Sequence, residues 1–255
     1  MSTLEINQTL VEDLDRIKES KDLIREIFTR FGDRAAIGTS GQLTGAVMID
    51  QAFRAGTKPR IFTIDTLRLF PETYQFFDEV EKKYGLKVER VQPDPAKIDA
   101  MVKEHGEYLF FDSKQKQELC CHLRKVEPNE RVLETLDVWL TGLRADQSKG
   151  RAATPRFEIL FQGKEKRPIL KVAPLVNWTE KDLWAYVKEH GVPVHKLLTW
   201  NQNGWFYESL GCIICTTPIG PDEPRRAGRW RWFNATEPDD KECGIHAPRE
   251  HKDEV

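Results

Sequence analysis

Residues 34–53 read Arg-Ala-Ala-Ile-Gly-Thr-Ser-Gly-Gln-Leu-Thr-Gly-Ala-Val-Met-Ile-Asp-Gln-Ala-Phe. A short apolar run leads to Gly38, a loop of small residues follows, and the apolar stretch from Ala46 to Phe53 predicts a helix. The order is therefore strand, small-residue loop, helix. Units of this kind build parallel sheets that are covered by helices.

The sequence on either side repeats the alternation of strand and helix. Strands are predicted at residues 58–65, 86–91 and 138–142, and helices at 72–84, 96–104, 113–126 and 180–190 after a helical N-terminal region. Thr179 and Asp182 match the pattern of residues that cap the start of a helix, and Gly191 is typical of a helix end. Residues 151–167 show no periodicity and are interpreted as a loop or an irregular hairpin. The predicted fold class is α/β with a parallel sheet.

The composition excludes several classes of protein. The chain has 255 residues, 39% hydrophobic and 31% charged, and 39 Lys and Arg against 41 Asp and Glu leave a net charge of −2. The hydrophobic and charged fractions exclude a membrane protein and a low-complexity disordered chain. The small net charge excludes broad coating of nucleic acid. The N-terminus lacks the apolar core of a secretory signal. We therefore expect a cytoplasmic protein that binds neither nucleic acid nor a membrane.

Ser40 and Gly41 stand in the small-residue loop between the strand and the helix. Small residues let backbone N–H groups approach an anion, and the helix N-terminus adds positive potential. The loop is thus a candidate phosphate or sulfate site, although an ordinary strand-to-helix turn would look similar. Asp65 ends the next strand, where ligands of open parallel sheets bind; the alternative for Asp65 is a helix N-cap.

The 5 cysteines divide into four and one. Cys120 is adjacent to Cys121, and Cys212 and Cys215 form a CxxC pair. Four thiolates can hold zinc or an iron–sulfur cluster. Neighbouring helical residues point about 100° apart, which favours a larger 4Fe–4S cluster, while the alternative is that the adjacent pair consists of inert helix-face residues. Cys243 stands alone in a polar segment and is a candidate nucleophile, or else an incidental exposed thiol.

Basic residues recur in separate segments of this nearly neutral chain. They are Arg124 and Lys125, Arg144 and Arg151, and then Arg225, Arg226, Arg229 and Arg231 around Trp230 and Trp232. Arginine binds phosphate and sulfate through paired hydrogen bonds, so these residues predict a local anion pocket. Two alternatives are a solvated face with arginine packed on tryptophan, and stacking on nucleic-acid bases.

Seven segments in this order resemble the assimilatory adenylyl-sulfate (APS) reductases and their phosphoadenylyl-sulfate (PAPS) relatives. The segments are residues 63–74, 120–126, 141–148, 174–179, 211–216, 226–230 and 242–246. The resemblance implies an adenine-nucleotide alpha-hydrolase-like (PP-loop) fold: a parallel sheet with flanking helices and a flexible C-terminal tail. It implies a reductase domain at residues 1–220 and a tail at 221–255 that carries the catalytic cysteine.

The same resemblance implies the chemistry of sulfate assimilation and cysteine biosynthesis. Cys243 would attack the sulfur of APS, giving S-sulfocysteine and AMP, and thioredoxin or glutaredoxin would then release sulfite. The implied ligands of a 4Fe–4S cluster are Cys120, Cys121, Cys212 and Cys215. The implied substrate-binding residues are Ser40, Gly41, Asp65, Lys125, Gly142, Arg144, Arg226, Arg229 and His246. A homo-oligomer is also expected.

Two features depart from the family pattern and keep alternatives open. Leu67 stands where the family commonly has glycine, and loop 40–45 lacks the acidic pair of APS-specific members. A PAPS reductase, or an enzyme that accepts both nucleotides, is therefore the alternative within the family. Outside it, the alternatives are a PP-loop ATP pyrophosphatase or tRNA-thiolation enzyme, against which Gln42 and Thr44 argue, and a zinc-stabilised nucleotide-binding module.

Overall fold

A six-stranded sheet forms the centre of the computed structural model, which describes residues 5–163, 165–234 and 244–245. Its strands are β1 (Ala35–Gly38), β2 (Arg60–Ile64), β3 (Val88–Val91), β4 (Val138–Thr141), β5 (Phe157–Gln162) and β6 (Arg167–Val172). They lie in the order β3-β2-β1-β4-β6-β5, and each pairing is parallel except that of β5 with β6. A separate hairpin joins β7 (Asn201–Gln202) to β8 (Trp205–Phe206).

Helices cover both faces of the sheet. They are α1 (Gln8–Asp15), α2 (Ser20–Phe31), α3 (Leu43–Arg54), α4 (Pro71–Tyr84), α5 (Pro95–His105), α6 (Lys114–Cys121), α7 (Glu127–Leu133), α8 (Glu180–His190) and α9 (Arg231–Asn234). A π-helical turn, His122–Val126, joins α6 to α7. No helix in the described part of the chain is long and apolar enough to span a bilayer.

The helix predicted after the small-residue loop is the most deeply buried one. Ten residues of α3 are buried, because α3 packs against α2 and α8 as well as against the sheet. On this face Ile27, Val47 and Leu183 belong to one apolar cluster with Ile37 of β1. The opposite face carries α7, whose Val132 and Leu133 belong to a cluster with Phe62 and Trp139. The sheet is thus the middle layer of three, as the alternation of elements predicted.

The carboxyl ends of β1, β2 and β4 meet at one edge of the sheet. Gly38 pairs with Phe62 on one side and with Thr141 on the other. The chain passes from β1 to β2 on one side of β1 and reaches β4 on the other, so the strand order reverses there. Open α/β sheets bind ligands in the crevice at such a reversal.

The segment interpreted as a loop or an irregular hairpin is a regular hairpin. β5 and β6 pair antiparallel from Phe157 opposite Val172 to Gln162 opposite Arg167, and β6 also extends the parallel sheet beside β4. The sequence did not indicate β6 as a strand of the main sheet. Because β5 is an edge strand whose residues are mostly half-buried, its side chains do not alternate cleanly between apolar and polar.

Residues beyond the predicted domain boundary at position 220 pack against the body of the protein. Thr216 and Arg229 form a β-bridge, and the side chain of Trp230 is 3% exposed. The packed part of the structure therefore extends past position 220, at least to Trp230.

Candidate active site

A cavity of about 330 Å³ lies at the reversal of strand order. It is lined by strand ends (Gly38, Thr63, Ile64, Thr141), by the loop before α3, and by residues of the segment 206–211. We call it the strand-end cavity. Its volume is in the range of sites for small ligands.

The two predicted loop residues, Ser40 and Gly41, differ in their relation to the strand-end cavity. Ser40 lines the strand-end cavity, whereas Gly41 is not among its lining residues. Gly41 has φ +78°, and a Cβ there would lie 3.3 Å from Phe76 and 3.5 Å from His195, so glycine serves the loop's shape. Gly142 also lines the cavity and lies against Thr44.

All four predicted cationic residues line the strand-end cavity: Lys125, Arg144, Arg226 and Arg229. Arg144 is 6% exposed; its Nε donates to Asp146 at 2.9 Å and its Nη1 to Thr44 Oγ1 at 2.6 Å. These bonds fix its guanidinium beside the loop. The fold therefore brings these four cationic side chains, from separate segments of the chain, into the wall of one cavity.

Arg229 is held in place by a hydrogen bond and a ring contact, and it packs so closely against position 211 that only glycine fits there. Its Nη1 donates to the carbonyl of Leu210 at 3.0 Å, and its guanidinium lies 4.8 Å from the ring centroid of Trp230. A Cβ on Gly211 would lie 2.3 Å from Arg229 Nη2. Glycine at position 211 thus lets the arginine reach the cavity wall.

Asp65 neither lines the cavity nor caps a helix. Its carboxylate accepts hydrogen bonds from the backbone N–H of Leu67 at 2.9 Å, from Tyr74 Oη at 2.8 Å and from Gln92 Nε2 at 3.1 Å. It therefore stabilises the turn after β2. That turn holds Leu67 at φ 60°, a conformation that suits the glycine of the family pattern better than leucine.

The four paired cysteines line a second, smaller cavity with Arg68, Arg124 and Lys125. We call it the cysteine cavity. Cys120 and Cys121 end α6, where the π-helical turn begins, and this widened turn buries both Arg124 and Lys125. Lys125 lines both cavities and connects them.

Hydrogen bonds and charge surround the cysteine cavity. Thr66 Oγ1 lies 3.2 Å from Cys212 Sγ, and Arg124 Nη1 donates to the carbonyl of Thr66 at 3.0 Å. Gln117 Nε2 donates to Cys121 Sγ at 3.0 Å. The two contacts of Thr66 join the turn after β2 to Cys212 and to the π-helical turn that follows Cys121.

The electrostatic surroundings of the thiols differ. Burial opposes ionisation of Cys212, but Lys125, a hydrogen bond with Thr66 and two arginines outweigh it, so the pKa of Cys212 is lowered. Burial, then the neighbouring Cys212, raises the pKa of Cys215 to about 12. The cationic wall thus favours the thiolate form at Cys212 more than at Cys215.

The thiols and their surroundings fit an anionic iron–sulfur cluster. Four sulfur donors line one cavity, and the three cationic side chains in its wall offset the charge of a thiolate-bound cluster. Among residues 5–163, 165–234 and 244–245, no three His, Cys, Asp or Glu side chains are grouped to hold one metal ion.

One wall of the strand-end cavity carries two glutamates that the sequence did not indicate, paired with Arg225, one of the predicted basic residues. Arg225 Nε donates to Glu208 Oε1 at 2.6 Å, its Nη2 donates to Glu180 Oε2, and its Nη1 donates to the carbonyl of Asp146 at 3.2 Å. Glu180, Glu208 and Arg225 all line the cavity. They come from three distant segments, so no local pattern could have grouped them.

His195 packs under the loop that contains Gly41. The sequence did not indicate this histidine as a site residue. It is 1% exposed; Nδ1 accepts from the N–H of Leu197 at 3.2 Å, and Nε2 lies 2.9 Å from Thr73 Oγ1. With Nδ1 accepting, the proton is on Nε2 and is donated to Thr73, which lines the cavity. Burial lowers the pKa of His195 to about 4.

Stability should therefore fall as the pH is lowered from about 7.5 to about 5. Because the folded-state pKa lies below the ordinary value of 6.5, the unfolded chain binds the proton first, and the loss is about 2 kcal/mol over this range. Urea unfolding at both pH values measures it. His195→Gln should remove this part of the pH dependence and His190→Gln should keep it; equal slopes in the two variants would contradict the assignment.

Cys243 and His246, the remaining predicted site residues, lie outside the described residues. The two residues between them are described. Ile245 lines the strand-end cavity, and Gly244 lies against Val126. Of the predicted substrate-binding residues, the strand-end cavity is lined by Ser40, Lys125, Gly142, Arg144, Arg226 and Arg229, but not by Gly41 or Asp65.

An open α/β sheet with a ligand crevice at its strand ends is an architecture that nucleotide-binding proteins share. The chain belongs to the family of the phosphoadenosine phosphosulfate reductase domain, whose model matches residues 34–218. It is 36% identical to the adenosine 5'-phosphosulfate reductase of Pseudomonas aeruginosa (strain LESB58) over 90% of this chain and 83% of that protein.

Solved structures confirm the predicted fold class. The fold is similar to that of the PAPS reductase from Candida auris, with a TM-score of 0.66 and 26% identity over 86% of this chain and 100% of that chain. It is also similar to the FMN adenylyltransferase of Candida glabrata, with a TM-score of 0.52 over 86% of this chain and 67% of that chain. At 16% identity the second likeness is one of fold alone.

Proposed function

We propose that the chain reduces adenylyl sulfate to sulfite and AMP, with electrons from a dithiol protein. One observation carries the proposal: Lys125 and Arg229, both less than a tenth exposed, line a strand-end cavity that adjoins the cysteine cavity. Lysine and arginine bind sulfate and phosphate oxygens through charge-assisted hydrogen bonds, and a sulfate–phosphate anhydride carries both groups. The curated relative from Pseudomonas aeruginosa carries the name of this activity.

In the first step the thiolate of Cys243 attacks the sulfate sulfur of APS. An S–S bond forms to the sulfonate, and the bond between sulfur and the bridging oxygen breaks. That oxygen leaves with the electron pair as part of AMP, so the products are S-sulfocysteine and AMP. No proton is needed on the leaving group, because the phosphate of AMP is stable as an anion.

The basic residues lower the barrier to this step. Sulfate oxygens repel a thiolate, and charge develops on the leaving phosphate in the transition state. Lys125, Arg144, Arg226 and Arg229 line the cavity in which these oxygens would lie. Preorganised cations in a water-poor site stabilise such charge strongly.

In the second step a thiolate of the reductant attacks Sγ of the S-sulfocysteine. Sulfite leaves with the electron pair of the S–S bond, and a mixed disulfide joins the two proteins. The second thiol of the reductant then resolves it, which regenerates Cys243 and leaves the reductant as a disulfide. The two electrons that convert sulfate-level sulfur to sulfite come from the dithiol.

We also propose that Cys120, Cys121, Cys212 and Cys215 hold a 4Fe–4S cluster. When bound, the cluster supplies structural stability and an anionic field that orients the cations between the two cavities. Anaerobically purified protein should contain about four iron and four sulfide per chain. Stoichiometric zinc without sulfide would instead support the zinc-stabilised module.

PAPS is the second candidate substrate. The likeness to a solved PAPS reductase and the absence of an acidic pair in loop 40–45 favour it. Both nucleotides would place the same sulfate at the basic residues, and they differ only at the ribose 3′ position.

The test is formation of the covalent adduct without any reductant. The protein is incubated with APS or PAPS, AMP or its 3′-phosphate is quantified, and mass spectrometry locates the added sulfonate. We expect one equivalent of AMP from APS and one sulfonate on Cys243. A larger first-order rate with PAPS would make PAPS the substrate, and release of pyrophosphate from ATP would overturn the proposal in favour of a pyrophosphatase. Thioredoxin or glutaredoxin as reductant, a homo-oligomer and a cytoplasmic location stay predictions.

A further inference from the structure

Three charged side chains of the strand-end cavity take no part in the proposed reaction. They are Glu180, Glu208 and Arg225, and all three line the cavity; we call them the carboxylate wall. With both carboxyls ionised, two carboxylates and one guanidinium give this wall a formal charge of −1. Since like charges repel, the wall opposes anions in a cavity whose other charged residues, in the described part of the chain, are all lysine or arginine.

The guanidinium of the carboxylate wall is occupied by the protein itself. Nε of Arg225 donates to Glu208 Oε1 at 2.6 Å, Nη2 donates to Glu180 Oε2, and Nη1 donates to the carbonyl of Asp146 at 3.2 Å. Each of its three nitrogen atoms therefore has an acceptor within the chain. An arginine held in this way cannot offer a phosphate the paired hydrogen bonds that make arginine a strong phosphate ligand.

The carboxylate wall and Lys125 belong to opposite faces of the sheet. Glu180 is the first residue of α8, which packs with α3 on one face. Lys125 belongs to the π-helical turn that leads into α7, whose side chains pack on the other face. The proposed function places the sulfate beside Lys125, where the two cavities adjoin. The adenosine at the other end of the ligand then extends towards α8 and the carboxylate wall.

We propose that Glu180 and Glu208 are specificity-determining residues that exclude a second phosphate from the adenosine part of the ligand. APS has a free hydroxyl at the ribose 3′ position, whereas PAPS has a phosphate there. A carboxylate accepts a hydrogen bond from a hydroxyl but repels a phosphate, and Arg225 is already held by the two glutamates. The wall thus favours APS over PAPS. The inference rests on the proposed function, which supplies the orientation of the ligand.

The experiment compares the affinities of the cluster-loaded protein for AMP and for adenosine 3′,5′-bisphosphate. Glu208→Gln and Glu180→Gln each keep an oxygen that accepts from Arg225 but remove the charge. Burial raises the pKa of Glu208 to about 7, so calorimetric titrations are made at pH 8, where most of this carboxyl is ionised. We expect each variant to bind the bisphosphate about ten-fold more tightly relative to AMP than the original chain does. The affinity for AMP should stay within about three-fold.

Glu158→Gln is the matched control. Glu158 pairs with Lys171 at 2.8 Å on the β5–β6 hairpin and is not among the residues that line the cavity. The control should keep the affinity ratio of the original chain. As a second readout, the second-order rate constant of S-sulfonation with PAPS should rise relative to that with APS in Glu180→Gln and Glu208→Gln, but not in the control.

Three outcomes would count against the inference. An unchanged affinity ratio in either cavity variant would overturn the role given to that glutamate. An equal loss of affinity for both nucleotides would show that the wall shapes the cavity without discriminating between them. The same shift in Glu158→Gln would assign the effect to the net charge of the protein. Failure of the proposed function is distinguishable, because it appears as absence of S-sulfonation, whereas the affinity ratio is measured with nucleotides that carry no sulfate.

Discussion

Cys243→Ser is expected to lower the rate of AMP release from APS by at least about 10⁴-fold, which is the scale seen when a nucleophile is removed. Serine is nearly isosteric, but its hydroxyl is not ionised near neutral pH and is a far weaker nucleophile than a thiolate. The lysine and arginines of the cavity cannot compensate, because they stabilise charge but form no bond to sulfur. Single-turnover AMP release measures the effect.

The control is the iron and sulfide content, because the proposed cluster should not depend on Cys243. The cysteine cavity is lined by the other four cysteines, so iron and sulfide content should be the same as in the unmodified chain. Cys121→Ser gives the opposite pattern, with loss of iron. Sulfonate found on another cysteine of Cys243→Ser would disprove the assignment of the nucleophile.

Lys125→Met is expected to lower kcat/KM for APS by about 10² to 10³-fold, the range for loss of one preorganised group that stabilises transition-state charge. Lys125 is 8% exposed and lines both the strand-end and the cysteine cavities. Methionine has a similar length but no charge, so it removes the ammonium group with little change in packing. Steady-state kinetics with APS measure the loss.

Lys171→Met is the matched control for this variant. The Lys171 side chain is 11% exposed, pairs with Glu158 at 2.8 Å and does not line the strand-end cavity. It should retain kcat/KM within about three-fold. A loss of less than about ten-fold in Lys125→Met, with iron content intact, would contradict the central role given to Lys125.

Local sequence signals were sufficient for most of the fold. The run from Arg34 to Gly38, the small-residue loop and the apolar stretch after it predicted β1 and α3, and the structure has them at Ala35–Gly38 and Leu43–Arg54. The signal at Thr179 and Asp182 predicted the start of α8, where both halves of a capping box form. These signals depend on residues within one or two turns, which a sequence displays directly.

Local sequence patterns did not predict the parts of the structure whose arrangement depends on long-range contacts. β6 was not indicated as a strand of the main sheet, because its place depends on pairing with β4 and β5. Glu180 and Arg225 were not paired by the sequence either, because 45 residues separate them and they meet only in the folded protein. Neither arrangement has a counterpart in local sequence.

The sequence by itself determined the chemistry that is available: four cysteines in two pairs, a fifth cysteine apart from them, and basic residues in several segments. Only the tertiary structure decided which of these groups share a cavity. It placed Lys125 in the walls of both cavities and tied Arg225 to two glutamates from distant segments. The physical reason is that residue type and spacing fix local conformation, whereas proximity across the fold follows from how the sheet and its helices pack.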